Sequence, residues 1–416
     1  MTKSAATQSD TTTVGAQLIA PEASPEHGQK GGVSGWRECK LDNAPLEIVD
    51  GDRGKNYPSQ NEFFDVGHCL FLSTKNVRFN GFDFSDCQFI TREKDELLRK
   101  GKLRRNDVIL TTRGTVGNLG FYGDSIAYEN VRINSGMVII RPNTDNLYPL
   151  FNFYLFRHLQ SDFQTHTSGS AQPQLPIRDL KEMYVSIPPL PEQKAIAAVL
   201  SSLDDKIDLL HRQNQTLEAM VQTLFRQWFI EEALEDWEEV PLSTLFEISS
   251  GKGLSKENFL DDGIYRVLGA NGIIGRTDNY NFFEKLIYTG RVGTLGNIFI
   301  INTEPVWLSD NTLVMRNIKY FYFTYFTLKN SNLKDYNAGS TQPLLRQSDL
   351  KEIPYLQPPV EKMQEFESFA AINFTKIETN TKQIQTLNQL RDTLLPKLMS
   401  GEVRVEIVTE TINGFN

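Results

Sequence analysis

Residues 169–182 read GSAQPQLPIRDLKE, and residues 339–352 read GSTQPLLRQSDLKE. Nine of the fourteen positions are identical when the two segments are aligned without a gap. Such a sequence repeat indicates that a whole structural unit is duplicated, and this duplication decides the fold. The 416-residue chain is also long enough for two domains.

Further matches extend the repeat over most of the chain. They are VGNLG at 116–120 and VGTLG at 292–296, Trp36 and Trp237 near the start of each copy, IVDG at 48–51 and ISSG at 248–251, and the proline pairs at 188–189 and 358–359. The first copy therefore covers about residues 36–235 and the second about 237–402.

Each copy begins with a globular part that is rich in predicted strands. Short β-branched runs bounded by Gly, Asn and Asp are typical of strands; these are DVILTT (107–112), MVIIRP (137–142), KLIYTG (285–290) and NIFIIN (297–302). An aromatic, helix-like stretch follows in each copy, at 147–163 and 320–333. Its helical, apolar spacing favours a core position over stacking on nucleic-acid bases, which is the alternative.

A long helix closes each copy. In the first, apolar residues alternate in steps of three and four, as in a heptad seam: Leu200, Leu203, Ile207, Leu210, Asn214, Leu217, Val221, Leu224 and Trp228. In the second, the seam is more polar: Ala370, Asn373, Ile377, Asn380, Ile384, Leu387, Arg391, Leu394 and Leu398. Neither helix can bury its seam alone, so we expect an intramolecular antiparallel coiled coil; the alternative is that each helix packs on its own globular part. Pro396 is expected to kink or close the second helix.

The expected fold class is α+β, with two mixed α/β domains, two long helices packed as an antiparallel coiled coil, and a pseudo-two-fold repeat. The expected divisions are a disordered tail (1–35), a first globular domain (36–187, head 1), a first helix (188–235), a second globular domain (236–357, head 2), a second helix (358–402) and a C-terminal end (403–416). The tail is rich in Ser, Thr, Gly and Ala and has no apolar period.

The net charge of −9 is concentrated on the helices. Residues 36–187 carry 19 basic and 19 acidic side chains, whereas residues 188–239 carry 4 and 11. Within the balanced head 1, the run RKGKLRR at 99–105 is the best candidate for contact with phosphate, although such runs are often only solvated surface.

Motifs for catalysis and metal binding are missing from the sequence. It has no GxxxxGK[ST] loop, no GxGxxG turn and no methyltransferase motif, and its three cysteines (Cys39, Cys69, Cys87) have no CxxC spacing. Apolar runs are too short for a membrane span, and no signal peptide is evident, so we expect a cytoplasmic, non-catalytic protein without a metal site.

Three segments resemble the type I restriction-modification specificity subunits. The segment beginning IPPLPEQ at 187–229 is similar to the first conserved region of that family, LLPKLMSGEVRV at 394–405 to the end of the second, and DVILTTRGTVG at 107–117 to a hallmark of its target-recognition domains. The helix start of the second copy departs from the pattern, with VEKMQ at 360–364 in place of LPEQK.

This resemblance implies a DNA-binding specificity subunit that is not itself an enzyme. Each target-recognition domain would read one half of a bipartite double-stranded DNA site, and the helices would set the spacing and dock two modification subunits. S-adenosylmethionine, ATP and Mg²⁺ would belong to the methyltransferase and restriction (endonuclease) subunits, with no cofactor in this chain. The alternatives are a coiled-coil scaffold with two protein-binding heads and a nuclease or methyltransferase active on its own.

Residues that could read bases are polar side chains of the predicted loops, since Asn and Gln suit adenine and Arg and Lys suit guanine. The candidates are Lys75, Asn76, Arg78, Arg104, Arg105 and Arg113 in head 1, and Lys252, Asn271, Arg276, Arg291 and Asn311 in head 2. Gln172 and Gln342 in the repeated segment either shape a turn or touch DNA.

Overall fold

The computed structural model describes residues 14–19, 35–79, 81–165, 167 and 173–409. The chain divides into two structural units, one made of residues 1–208 and 385–416 and the other of residues 209–384. Each unit combines one head with part of each long helix.

The first unit contains head 1, the start of the first long helix and a strand near the N-terminus. Its strands are β1 (Val14–Ile19), β2 (Arg37–Lys40), β3 (Leu46–Asp50), β4 (Cys69–Leu72), β5 (Val77–Arg78), β6 (Gly81–Phe82), β7 (Phe89–Ile90), β8 (Val108–Thr111), β9 (Leu119–Phe121), β10 (Val131–Ile133), β11 (Met137–Pro142) and β12 (Tyr184–Ile187). Its helices are α1 (Arg92–Leu97), α2 (Pro149–His158), α3 (Gln160–Thr165), α4 (Ile177–Glu182) and the first part of α5 (Leu190–Arg226).

The second unit contains head 2. Its strands are β13 (Glu239–Pro241), β14 (Glu247–Ser250), β15 (Tyr265–Gly269), β16 (Gly272–Thr277), β17 (Leu286–Gly290), β18 (Ile298–Ile301), β19 (Val306–Leu308), β20 (Thr312–Arg316) and β21 (Pro354–Leu356). Its helices are α6 (Phe321–Asn330), α7 (Gln347–Lys351) and the first part of α8 (Val360–Ser400), which continues into the first unit and is followed there by β22 (Arg404–Thr409).

The two heads have the same sheet topology. Head 1 has a four-stranded antiparallel sheet in the order β3-β11-β8-β9 and a mixed three-stranded sheet in the order β10-β4-β7. Head 2 repeats them as β14-β20-β17-β18 and β19-β15-β16. Three of the four predicted apolar runs form the central strands β8, β11 and β17, whose residues are almost all buried, which explains why these sequences are continuously apolar. The fourth run, NIFIIN, forms the edge strand β18, which is mostly half-buried.

Glycine conformation corrects the alignment of the repeat at one loop. Gly114 and Gly117 have φ of +73° and +96°, and Gly293 and Gly296 have φ of +84° and +95°. The equivalent motifs are therefore GTVG at 114–117 and GTLG at 293–296, displaced by three residues from the VGNLG–VGTLG match. Left-handed backbone strongly favours glycine at these positions, and this constraint outweighs the number of identical letters.

The aromatic stretches form α2 and α6 and lie in the core. Phe151 and Phe156 of α2 and Phe323 and Phe326 of α6 are buried within the two largest hydrophobic clusters. The expectation that these rings belong to the core is confirmed, and stacking on bases is not their role.

Helices α5 and α8 pack against each other in antiparallel directions within each unit. In the second unit Asn214 of α5 contacts Asn380 of α8, while Phe225, later in α5, meets Phe366, earlier in α8. All the predicted seam positions are buried or half-buried, as the coiled-coil prediction requires. Both helices also pack on a head, so the alternative describes a second set of contacts rather than a competing arrangement.

Two local predictions need correction. Helix α8 continues through Pro396 and ends at Ser400, followed by Gly401 with φ of +73°, so the glycine rather than the proline closes it. Part of the expected disordered tail is ordered, because β1 pairs antiparallel with β22, and backbone hydrogen bonding offsets the entropy of ordering this short apolar run. The remainder of the predicted tail, 1–13 and 20–34, lies outside the described residues.

Among the described residues, no helix combines the length and apolar character needed to cross a bilayer.

Candidate nucleic-acid interface

Four loops of head 1 meet at one edge of its two sheets. The backbone N–H of Asn134 donates to the carbonyl oxygen of Leu72 (3.0 Å). The backbone N–H of Thr112 donates to the carbonyl oxygen of Gly136 (2.8 Å). The contacts therefore bring together the loops at 50–55, 73–76, 112–118 and 134–136, which follow strands of different sheets.

Head 2 builds the same edge with the same backbone hydrogen bonds. The backbone N–H of Ser309 donates to the carbonyl oxygen of Leu268 (2.9 Å), and the backbone N–H of Arg291 donates to the carbonyl oxygen of Asn311 (2.8 Å). We call each edge a loop face, made of residues 50–55, 73–76, 112–118 and 134–136 in head 1 and 250–255, 270–272, 290–297 and 309–311 in head 2.

One glycine in each head allows the loops to approach this closely. A Cβ atom at Gly51 would lie 2.3 Å from the carbonyl oxygen of Asn134, and one at Gly251 would lie 2.1 Å from that of Ser309. No side chain fits at such distances. The glycines that end IVDG and ISSG are therefore needed for the loop face.

The repeated segment adds a strand-like edge to the glycine loop in both heads. Leu175 N–H donates to Thr112 O, and Leu345 N–H donates to Arg291 O, both at 2.9 Å. Its DLKE sequence then forms α4 or the end of α7, as expected for the return towards a long helix. Residues 169–172, and Gln172 with them, lie outside the described residues, whereas Gln342 is described and exposed.

Three head 1 candidates, Lys75, Asn76 and Arg113, lie in the loop-face segments, and Asn76 is buried. Lys75 is exposed. Arg113 is half-buried, and its Nε is buried with no hydrogen-bond partner in the part of the chain that the structure describes. Arg78 instead forms an ion pair with Asp83 (2.9 Å) in the β5–β6 hairpin.

Two head 1 candidates are used by the fold. Asn76 is only 3% exposed, and its amide donates to the carbonyl oxygens of Asp83 (3.1 Å) and Asp86 (2.8 Å). Arg105 donates to the carbonyl oxygens of Gly123 (2.8 Å) and Ile126 (2.9 Å), with its guanidinium over the Tyr122 ring. Because both side chains donate to backbone carbonyl groups inside the head, we now expect them to support loops rather than to contact bases.

Four of the five head 2 candidates lie on the loop face. Lys252, Asn271 and Asn311 are exposed there. Arg291 donates to Ser250 Oγ (3.4 Å), and its Nε is buried without a hydrogen-bond partner among the described residues. Arg276 is different, because it lies in β16 and donates to the carbonyl oxygen of Gly263 (2.9 Å), so it supports the sheet edge.

Sequence reasoning missed two cations on the head 1 face. Arg53 and Lys55 are exposed in the loop after IVDG, and Arg53 reaches Asp50 (3.1 Å). Lys252 was a candidate because it is a cation in the loop after ISSG. The same criterion, applied to the loop after IVDG in the first copy, would have identified Arg53.

The motif PPLPEQ joins head 1 to helix α5. Glu192 accepts from the indole of Trp36 (3.1 Å) and from Arg404 (2.9 Å). Gln193 is buried, accepts from Tyr148 N–H (2.7 Å) and donates to the carbonyl oxygen of Pro188 (2.8 Å). These residues therefore place the helix start against the head.

A polar node further along α5 joins three elements of the first unit. Asp204 accepts from Tyr154 (2.8 Å) and Arg157 (3.2 Å) of α2 and from Arg391 (2.8 Å) of α8. Burial, together with the Asp204 carboxylate, raises the pKa of Tyr154, so this hydroxyl keeps its proton as a donor. The polar seam residue Arg391 thus links the helix pair to the head.

The described residues contain no group of three or more His, Cys, Asp and Glu side chains suited to a metal ion.

A family model described as the type I restriction modification DNA specificity domain matches residues 47–219 and again residues 234–389. The chain belongs to this type I DNA specificity family. The two matches cover the two copies of the repeat, so each head together with its following helix corresponds to one specificity domain.

Known members of the type I specificity family match over most of the chain. The type I restriction enzyme MjaIX specificity subunit of Methanocaldococcus jannaschii is 30% identical over 347 residues, which cover 73% of this chain and 78% of that protein. The HindI specificity subunit of Haemophilus influenzae is 22% identical over an alignment with a length of 475 residues. This alignment covers 89% of this chain and all of that protein.

The crystal structure of the type I restriction-modification S subunit from M. genitalium has a similar fold, with a TM-score of 0.55 and 19% identity. The alignment covers 88% of this chain and 96% of that structure. The two specificity domains and the paired helices described above are therefore the architecture of a type I specificity subunit.

Proposed function

We propose that this chain is the DNA-specificity subunit of a type I restriction-modification complex, in which each loop face contacts one half of a bipartite duplex site. The observation that carries the proposal is the loop face itself, built twice by the same backbone hydrogen bonds but with different side chains. One scaffold with two sets of polar side chains suits the reading of two different half-sites.

The side chains on the two faces support this role. Head 1 offers Arg53, Lys75 and Arg113, and head 2 offers Lys252, Asn271 and Asn311. Arg113 and Arg291 each have a buried Nε without a hydrogen-bond partner among the described residues, and a buried unsatisfied donor favours a ligand that would accept from it.

Catalysis is assigned to partner subunits. Two modification subunits would dock on α5 and α8 and methylate adenine with S-adenosylmethionine, and restriction subunits would use ATP and Mg²⁺. The chain itself contributes binding and spacing, and it needs no cofactor of its own.

The experiment is sequencing of methylated positions in cells that carry the chain with its modification subunit, followed by gel shifts of the purified complex on the motif found. We expect one asymmetric bipartite motif and salt-sensitive, sequence-selective binding. Absence of any DNA preference at low and high salt would favour a scaffold with two protein-binding heads. Methylation or cleavage by the purified chain alone would contradict the non-catalytic role.

A further inference from the structure

A cleft of about 610 Å³ beside the loop face of head 1 is strongly basic. Its charged lining consists of five cations and two carboxylates: Arg99, Lys100, Lys102, Arg104, Arg141, Glu47 and Asp50. Most of the cations come from the run RKGKLRR. We call this feature the basic cleft.

Two of the five cations form ion pairs within the head. Lys102 pairs with Asp95 at 2.5 Å, and Arg141 pairs with Asp107 at 2.7 Å. The lining carboxylate Asp50 is in turn paired with Arg53 at 3.1 Å. Arg99, Lys100 and Arg104 are exposed, and their side chains have no carboxylate partner within 4 Å among the described residues.

Carboxylates of the head hold the backbone that carries these three cations. Buried Asp52 accepts from the N–H groups of Gly54 (2.7 Å), Arg99 (2.8 Å) and Lys100 (3.4 Å). Burial acts to raise the pKa of Asp52, but these donors, together with the charge of the Arg99 guanidinium, bring it below its ordinary value, so the carboxylate stays ionised. Arg104 N–H donates to Asp107 (2.7 Å). The backbone that carries the three side chains is therefore fixed before any ligand arrives.

The basic cleft is continuous with the loop face. A Cβ at Gly101 would lie 3.3 Å from the Cα of Gly51, which is the glycine of the close loop approach. A second cleft of about 300 Å³ is lined by residues 50–54 together with Arg99 and Lys100. Arg99 and Lys100 thus lie next to Arg53 in the loop at 50–55. Arg104 lies at the other end of the basic cleft, beside Asp107 at the start of β8.

Head 2 has a different surface at the equivalent position. Leu103 N–H donates to Val131 O (2.9 Å) in head 1, and Phe282 N–H donates to Val306 O (3.2 Å) in head 2, which aligns Arg104 with Phe283. Residues 278–284 read DNYNFFE and contain no basic residue. Tyr280 and Phe283 are 50% and 61% exposed there. The heads therefore share the loop face but not the basic cleft.

We propose that the basic cleft binds backbone phosphates of duplex DNA beside the half-site of head 1, and that head 2 has no equivalent phosphate site. This inference rests on the proposed function and adds an asymmetry to it. Exposed Arg and Lys side chains that lack a carboxylate partner and stand on a fixed backbone suit phosphate contacts, which strengthen binding without selecting a sequence. Head 1 then contributes the larger share of the salt dependence of DNA binding.

The test uses the complex with its modification subunit and a duplex that carries the methylated motif. We compare wild type with Arg99→Gln/Lys100→Gln/Arg104→Gln and with the control Lys256→Gln/Lys319→Gln/Lys351→Gln, which removes three exposed cations from head 2. Loss of three phosphate contacts should reduce the slope of log K against log[salt] by about 2.7, because each contact contributes about 0.9. The methylated motif should stay unchanged, and the control should keep the wild-type slope.

The outcomes separate the two proposals. If wild type binds selectively but the head 1 variant keeps its slope, or the control loses as much, the cleft assignment is wrong and the proposed function stands. If wild type shows no selective binding, the proposed function is wrong and the cleft proposal falls with it. A change of the methylated motif in the head 1 variant would overturn the assignment to phosphates. Thermal unfolding of the variants checks that these surface changes leave the fold intact.

Discussion

The two junctions between head and helix have the same geometry but different chemistry. In the first unit, Glu192 and Gln193 join α5 to head 1 through hydrogen bonds to Trp36 and Tyr148. In the second unit, the corresponding turn of α8 carries Lys362 and Met363. A degenerate sequence motif therefore does not imply a weaker junction, because packing can replace hydrogen bonds.

Aromatic rings make the second junction. Phe366 of α8 lies 5.6 Å from Phe225, 5.3 Å from Phe229 and 6.1 Å from Phe326, measured between ring centroids. Lys362 lies over the rings of Trp228 (5.8 Å) and Trp237 (5.5 Å). Trp237, the counterpart of Trp36, thus meets a cation where Trp36 donates to a carboxylate.

The largest effect should come from removing the central ring of the second junction. Phe366→Ala should lower the free energy of unfolding by about 3–5 kcal/mol, because it leaves a cavity among packed rings. Chemical denaturation followed by tryptophan fluorescence measures this loss. Phe283→Ala, at an exposed ring of the same head, is the control and should change stability little. Equal effects of the two changes would contradict the packed junction.

An intermediate effect should come from breaking the polar junction. Gln193→Met places in the first copy the residue found in the second, and it leaves the Tyr148 N–H and Pro188 O without partners. The expected loss is about 1–3 kcal/mol in the free energy of unfolding. Lys194→Met, at the exposed neighbouring position, controls for the added methionine. A neutral result for Gln193→Met would show that the hydrogen bonds do not hold this junction.

The smallest effect should be a change in pH dependence at the second junction. Glu367 accepts from Tyr322 N–H (2.9 Å) and Phe323 N–H (3.2 Å) at the start of α6. Burial raises its pKa, and these donors offset only part of the rise. The folded chain therefore binds this proton more tightly than the unfolded chain, so stability falls as the pH rises from about 4.5, the ordinary value, through the raised pKa.

Glu367→Gln should remove this contribution while keeping an oxygen acceptor for the two N–H groups. The Tm of the variant should therefore fall less than that of wild type as the pH is raised through this window. Glu361→Gln, at an exposed position of the same helix, should leave the wild-type pH profile unchanged. An identical dependence of Tm on pH for Glu367→Gln and wild type would show that Glu367 does not contribute to the pH dependence of stability.

Regular periodicity made much of the fold predictable. The heptad spacing revealed the seam, including the buried polar residues Asn380 and Arg391. The β-branched runs revealed the central strands β8, β11 and β17 and the edge strand β18, but not the central strand β20. The GTVG–GTLG register was missed because a positive φ cannot be seen in a count of identical letters. The role of Gln193 was also hidden, since its partner Tyr148 is 45 residues away in sequence.

The candidate site was predictable only as a set of loops. Lys252, Asn271, Arg291 and Asn311 follow different strands, and long-range backbone hydrogen bonds bring them to one face. Asn76 and Arg105 have the residue types that read bases, but backbone carbonyl groups of their own head already bind them. Residue type identifies groups that can bind DNA, whereas the fold decides which of them are free to do so.

Replacing the head 2 side chains tests most directly whether each loop face reads its own half-site. Methylation is mapped by sequencing in cells that carry Lys252→Ala/Asn271→Ala/Asn311→Ala together with the modification subunit. We predict that one half of the bipartite motif becomes degenerate while the other half and the spacer length stay as in wild type. Loss of specificity in both halves, or an unchanged motif, would contradict the assignment of one half-site to each head.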